Sequence, residues 1–193
     1  MHGHLVARSR LAEAQDEIRR LEAIRWSRES LDVSLKLYFL RHGQAGNRTE
    51  WQEDDSARPL TTEGKRRMKR EAATMRKLLL PLDLIVSSPL IRARQTAEIV
   101  AETLGLTARL VMDSRLEPGF DPRQLKALLT AHRDVSALML VGHEPDFSET
   151  IGHLIGGGRL DLKKGALALV ELEDRASLTG RLAWLIPPRV LDR

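Results

Sequence analysis

The sequence predicts an α/β protein, a three-layer α/β/α sandwich on a mostly parallel sheet. From Leu35 onward, short apolar runs alternate with helix-patterned segments, the order that leaves a sheet covered on both faces. Helix caps and stops fall between those runs. At 193 residues, with 42% hydrophobic and 30% charged side chains, the chain is long enough for one ordinary core.

The first segment, residues 1–34, differs from the rest. Leu11, Ala14, Ile18 and Leu21 fall at a/d spacing, but Arg25 and Arg28 take the next two such positions. That pattern falls short of a coiled coil and predicts one amphipathic helix over roughly 9–28, an extension ahead of a domain spanning 35–193. "LKLYFL" then reads as a buried strand, followed by an acidic loop carrying Glu50, Glu53, Asp54 and Asp55. A helix follows over 61–80, capped by Thr61 or Thr62 and stopped by Pro81. "DLIVSS" is a second strand, and the next helix holds Pro89 in its first turn and Gly105 at its end. "ARLVM" is a third strand, 121–132 a helix, and "ALMLVG" a fourth strand. A helix in "EPDFSETIGHLIGG" precedes "ALALVEL" and "RLAWLI", which read as a closing hairpin ended by Pro187 and Pro188.

Composition excludes several chemistries. With no cysteine there is no disulfide, thiolate metal site or cysteine nucleophile, which fits a reducing compartment. No apolar run reaches the ~20 residues of a membrane helix, and the N-terminus lacks the apolar core of a signal peptide. A cytoplasmic protein without a membrane partner is expected. The net charge of +4 is concentrated in 61–78, where seven Lys and Arg face Glu63 and Glu71. A solvated helix face accounts for most of that; the sharper reading is a landing strip for an anionic partner. Nucleic acid is not expected, because no aromatic residues interleave with the charges.

Polar residues gather where strands end. Arg41 and His42 follow the first strand, Ser87, Ser88 and Arg92 the second, and His143 the fourth. In an open α/β sheet, ligands bind in the crevice beyond the carboxyl ends of the strands. Two imidazoles and two guanidiniums there point to phosphate chemistry. Arginine's planar fork matches phosphate oxygens, and a neutral imidazole can attack phosphorus. Arg94 sits two residues from Arg92 and points elsewhere; His132, His153, Trp51 and Trp184 read as surface or packing residues.

"LRHGQA" at 40–45, "SSPLIRARQTA" at 87–97 and "VGHEPD" at 141–146 resemble the signatures of the histidine phosphatase superfamily, with its phosphoglycerate mutase-like fold. "RPLTTEGKRR", "GHEPDFS" and the closing "KKGALALVEL … LAWLIPPR" most resemble the short phosphohistidine phosphatases of the SixA type. The resemblance covers roughly residues 35–190. It implies that His42 is the nucleophile, that Arg41, Arg92 and His143 clamp the phosphoryl oxygens, and that Gly43 fixes the tautomer of His42. It implies no cofactor and no metal. The partner it implies is a phosphorylated histidine phosphotransfer domain or sensor kinase. Many ester-cleaving relatives carry a carboxylic acid between the second and third motifs. That stretch is short here, and Glu117 and Asp121 are its candidates. An imidazole leaving group needs little protonation, so a phosphohistidine substrate suits a site without an acid. The alternative is a small-molecule phosphomonoesterase using Glu117 or Asp121. The missing insertions also imply a shallow, open mouth.

Overall fold

The computed structural model describes residues 34–192, and the compact unit begins at Ser34. The helix expected over 9–28 lies outside the described residues. Six strands form one sheet: β1 (Leu35–Arg41), β2 (Leu84–Ser87), β3 (Leu110–Met112), β4 (Ala137–Gly142), β5 (Leu167–Asp174) and β6 (Thr179–Ile186). Their order is β3-β2-β4-β1-β5-β6. Strands β3, β2, β4 and β1 run parallel, whereas β5 is antiparallel to β1 and β6 to β5. The expected α/β sandwich is thus observed, with the closing hairpin as its antiparallel edge.

Strand β1 is central because both of its faces are apolar. Leu35, Leu37 and Phe39 enter a core with Leu125, Phe147 and Ile151. Tyr38 and Leu40 enter a second core with Met68, Met75 and Ala97. A strand buried on both faces reads as a continuous apolar run, which is why "LKLYFL" shows no alternation. Each fully buried Leu or Phe contributes roughly 1.5–3 kcal/mol, so this strand is a rigid support for the residues beyond Arg41.

The helices α1 (Thr62–Lys77) and α2 (Ile91–Leu104) supply residues to the second core. Helices α3 (Pro122–Ala131) and α4 (Asp146–Leu154) supply residues to the first. Thr61 caps α1 by accepting the Gly64 N–H, and Gly105 ends α2 at φ 72°. Some boundaries differ from the sequence reading. Helix α1 ends at Lys77, ahead of Pro81, with Leu79 at φ 49°. Pro89 precedes α2 instead of lying in its first turn, because Leu90 is the N-cap. Ala108 and Arg109 belong to a 3-10 turn ahead of β3. Pro187 and Pro188 follow β6, but Pro188 opens a short helix, α5 (Pro188–Leu191), since proline suits the first helical turn.

Register carries the functional information. Arg41 pairs with Gly142 across β1 and β4, and Ser87 with Val141 across β2 and β4. The next residues along each chain segment, His42, Ser88 and His143, therefore leave one edge of the sheet side by side. The segment after His42 is then tied to the start of α1. Ala45 bridges Leu60, Thr61 N–H donates to Gln44 O (3.0 Å) and Gly46 N–H to Pro59 O (3.2 Å). Only glycine fits at position 64, where a Cβ would stand 2.0 Å from Gln44 O.

Candidate active site

A cleft of about 1140 Å³ opens beyond the carboxyl ends of β1, β2 and β4, with Arg41, His42, Arg92 and His143 among its lining residues. The four candidates thus meet in one pocket although a hundred residues separate the first from the last. The rings of His42 and His143 lie 5.3 Å apart, centroid to centroid.

His42 is buried, and its Nδ1 lies 2.8 Å from Gly43 O. A carbonyl only accepts, so Nδ1 carries the hydrogen and Nε2 keeps a lone pair. Burial, with the nearby His143, Arg92 and Arg41, pushes the imidazole down to about 2, while the Gly43 hydrogen bond pulls the other way. His143 is pushed down to about 4, by burial first and then by Arg92. Both rings are therefore neutral at pH 7 in the free site.

The donors around them are unspent. Arg41 gives one Nη1 hydrogen to Leu162 O (2.7 Å), but its buried Nε has no partner. Arg92 gives Nη1 to Asp55 O (2.7 Å) and pairs Nη2 with the Asp55 carboxylate (3.0 Å), again leaving Nε unpartnered. His143 Nε2 lies 2.9 Å from Ser88 Oγ, and its Nδ1 has no partner. Buried donors are rarely left unsatisfied. Three in one cleft, two of them on guanidiniums, describe a receptor for a tetrahedral oxyanion.

The candidate acids lie elsewhere. Asp121 caps α3 through a capping box, accepting the Arg123 and Gln124 N–H groups. Neither Asp121 nor Glu117 lines the cleft, although Pro118 does. The reason is local: this short connection winds into a 3-10 turn (Ser114–Leu116) and then a helix cap, which engages Asp121.

The model of the histidine phosphatase superfamily (branch 1) matches residues 37–117. A protein of Picosynechococcus sp. is 41% identical over 143 residues, 69% of this chain and 82% of the relative. The phosphohistidine phosphatase SixA of Escherichia coli is 26% identical over 157 residues, 80% of this chain and 94% of that protein. In three dimensions, the structure of the protein histidine phosphatase SixA complexed with tungstate superposes with a TM-score of 0.72. That match has 27% identity and covers 81% of this chain and 99% of that one. The chain belongs to the histidine phosphatase superfamily.

It is a SixA-like hydrolase of that superfamily. Among the described residues, no helix is long and apolar enough to cross a membrane.

The roles of several side chains that build this cleft are not legible in the sequence. Thr96 accepts the Gly43 N–H (3.0 Å) while donating to Arg92 O (2.7 Å), so it ties the first motif to the second. Gln95 accepts the Leu60 N–H at 2.9 Å. Ser88 accepts the Leu90 N–H (3.3 Å), which frees its hydroxyl hydrogen for His143 Nε2, so it ties down the N-cap residue of the next helix and anchors the ring. Asp55, one of four acids in a loop, holds both Arg92 and Arg58. Of the side chains read as structural, Arg94 pairs with Glu98, and the Trp184 ring packs tilted against Tyr38, 5.9 Å between centroids. Asn47 lines the cleft but turns its amide to Glu50 and its oxygen to Thr49. Glu144 lines the cleft beside His143 and accepts from Ser148 N–H (3.1 Å) and Oγ–H (2.6 Å). Burial raises its pKa.

Glu71 is the least expected. This α1 carboxyl is buried, with Oε1 on Arg67 Nε (2.9 Å) and Oε2 without a partner. Burial pushes it up to about 7 from the usual 4.5. The unfolded chain releases this proton near pH 4.5 and the folded chain holds it to about pH 7. Stability therefore falls as pH rises through that window and stays lower above it. At roughly 1.4 kcal/mol per pH unit, the gap between 4.5 and about 7 corresponds to at most about 3 kcal/mol. Glu71→Gln is expected to gain on the wild type between pH 5 and 8 in urea unfolding. An equal difference at both pH values would contradict this origin.

Proposed function

We propose that the protein removes the phosphoryl group from a phosphohistidine side chain of another protein. His42 Nε2 attacks phosphorus, a new P–N bond forms, and the P–N bond to the substrate imidazole breaks. That imidazole, its other ring nitrogen already protonated, leaves neutral with the electron pair. Water then attacks phosphoryl-His42, giving inorganic phosphate and restoring the neutral ring. Arg41, Arg92 and His143 hold the equatorial oxygens, and Gly43 O holds the His42 tautomer. Phosphoryl transfer asks mainly for alignment and charge stabilisation, which these residues provide.

One observation carries the reading. Among the described residues, the cleft-lining Arg41, Arg92 and His143 hold buried, unpartnered donors at Nε, Nε and Nδ1, while each carboxyl of the lining is already bonded. Asp55 is bonded to Arg58 and Arg92, Glu71 to Arg67, and Glu144 to Ser148. Such a site offers strong oxyanion stabilisation, and every carboxyl of its lining already has a partner, which suits an imidazole leaving group better than an alkoxide. The likeness to SixA proteins, one of them complexed with tungstate, fits this reading.

A second reading, an alkyl phosphomonoesterase, is supported by Glu144 in place of Glu117 or Asp121, because its raised pKa favours a proton-bearing carboxyl beside His143. The test compares a phosphohistidine protein with aryl and alkyl phosphates, and adds Glu144→Gln. Phosphohistidine turnover far above alkyl turnover, little changed by Glu144→Gln, is expected. Comparable rates, with the alkyl rate alone lost in that variant, would favour the second reading.

A further inference from the structure

The cleft holds more positive charge than one phosphoryl group needs. Seven cationic side chains line it against three carboxyls, a surplus of four. A phosphoryl group brings about two negative charges. Arg41, Arg58 and Arg92 have fixed partners around the reaction centre, Arg67 has Glu71, and Lys163 has Asp161 at 2.6 Å. Arg48 and Lys164 remain. The Arg48 side chain is 81% exposed, and its nearest carboxylate, Asp55 at 3.9 Å, is already shared by Arg58 and Arg92. Lys164 is exposed and, among the described residues, makes no hydrogen bond or ion pair.

Lys164 is held where it stands by the main chain. Gly165 N–H donates to Arg41 O (3.1 Å), Arg41 N–H to Ala166 O (3.2 Å) and Ala166 N–H to Lys163 O (2.7 Å). The turn requires glycine at 165, with φ 86° and a would-be Cβ 2.5 Å from Glu71 Oε2. The Lys164 ammonium is thereby brought close enough to Arg41, Arg58 and Arg92 for these, after desolvation, to lower its pKa. Asp55 answers Arg58 and Arg92, but among the described residues no carboxylate is within ion-pair distance of Lys164, so an anion from outside can pair with it. The cleft volume of about 1140 Å³ leaves room around a phosphoryl group for such anions.

We propose that Lys164 and Arg48 form a docking rim for Asp and Glu side chains flanking the phosphohistidine of a protein substrate. This rests on the function proposed above and adds the charge of the partner surface.

The test uses the full chain and two phosphohistidine peptides of equal length, one flanked by Asp and Glu, the other by Ser and Gln. At low ionic strength, wild-type kcat/KM is expected to favour the acid-flanked peptide by about tenfold, within the range of electrostatic steering. Salt should shrink the ratio, and Arg48→Ala with Lys164→Ala should bring it close to one. A wild-type ratio of one, or an unchanged ratio in the double variant, overturns the rim but leaves the phosphohistidine reading standing. An alkyl bisphosphate outpacing the acid-flanked peptide assigns the surplus charge to a second phosphate and also overturns the rim. Turnover of alkyl phosphate with both peptides inert overturns the rim together with the reading beneath it.

Discussion

Replacing His42 by alanine is expected to lower kcat by at least about 10³-fold on every phosphoryl donor, as removal of a nucleophile does. The phosphorylated enzyme proposed for the wild type should vanish with it. The P–N bond is acid-labile, so trapping calls for an alkaline quench beside the acid one. A second signature separates this from simple damage to the fold. With His42 pushed down to about 2, the unfolded chain binds a proton near pH 6.5 that the folded chain refuses. Above pH 6.5 both states are neutral and the group contributes nothing. As pH falls below that value, wild-type stability should drop more steeply than that of His42→Ala. A phosphoenzyme that persists in His42→Ala would remove the residue from the role proposed for it.

Arg92→Ala is expected to cost about 10²–10³ in kcat, the scale of losing one donor to the developing charge. Arg92→Lys should not rescue it. The guanidinium uses Nη1 on Asp55 O and Nη2 on the Asp55 carboxylate, and among the described residues its buried Nε is still without a partner. An ammonium cannot satisfy that fork and reach the phosphate as well. Asp55→Asn keeps the main-chain contact and weakens the ion pairs to Arg92 and Arg58, so a smaller loss of about tenfold is expected. Vanadate or tungstate inhibition should weaken in the same order. Activity within about threefold of wild type in Arg92→Ala would show that Arg41 and His143 suffice.

The parts of the site that are legible in the sequence share one property: they are local. "LRHG", "SSPLIRARQT" and "VGHEPD" each pair an apolar run with the polar residues after it, so strand, strand end and exposed tool occupy one stretch of chain. The group that sets the tautomer of His42, Gly43 O, belongs to its own neighbour. Asp55 is not legible for the opposite reason. Glu50, Glu53, Asp54 and Asp55 look alike in sequence, and only the packing of their loop against α2 brings the last of them to Arg92, 37 positions away. Thr96 and Ser88 belong to recognised motifs, yet their partners Gly43 and His143 are 53 and 55 residues distant. Asp121 misleads because a helix cap and a proton donor call for the same residue type, and the capping box is decided by geometry.

By itself the sequence determined the succession of strands and helices and the identity of the residues at the strand ends. Side-chain periodicity and caps are set within a few residues. Tertiary structure alone decided that β1 and β4 lie in a register placing His42 beside His143, and that Asp55, Ser88 and Thr96 fix the groups around them. It also decided that Lys164, without an ion pair among the described residues, comes under the charges of three arginines. Hydrogen bonds and charge interactions depend on separation in space, and chain folding brings together groups that separation along the chain keeps apart.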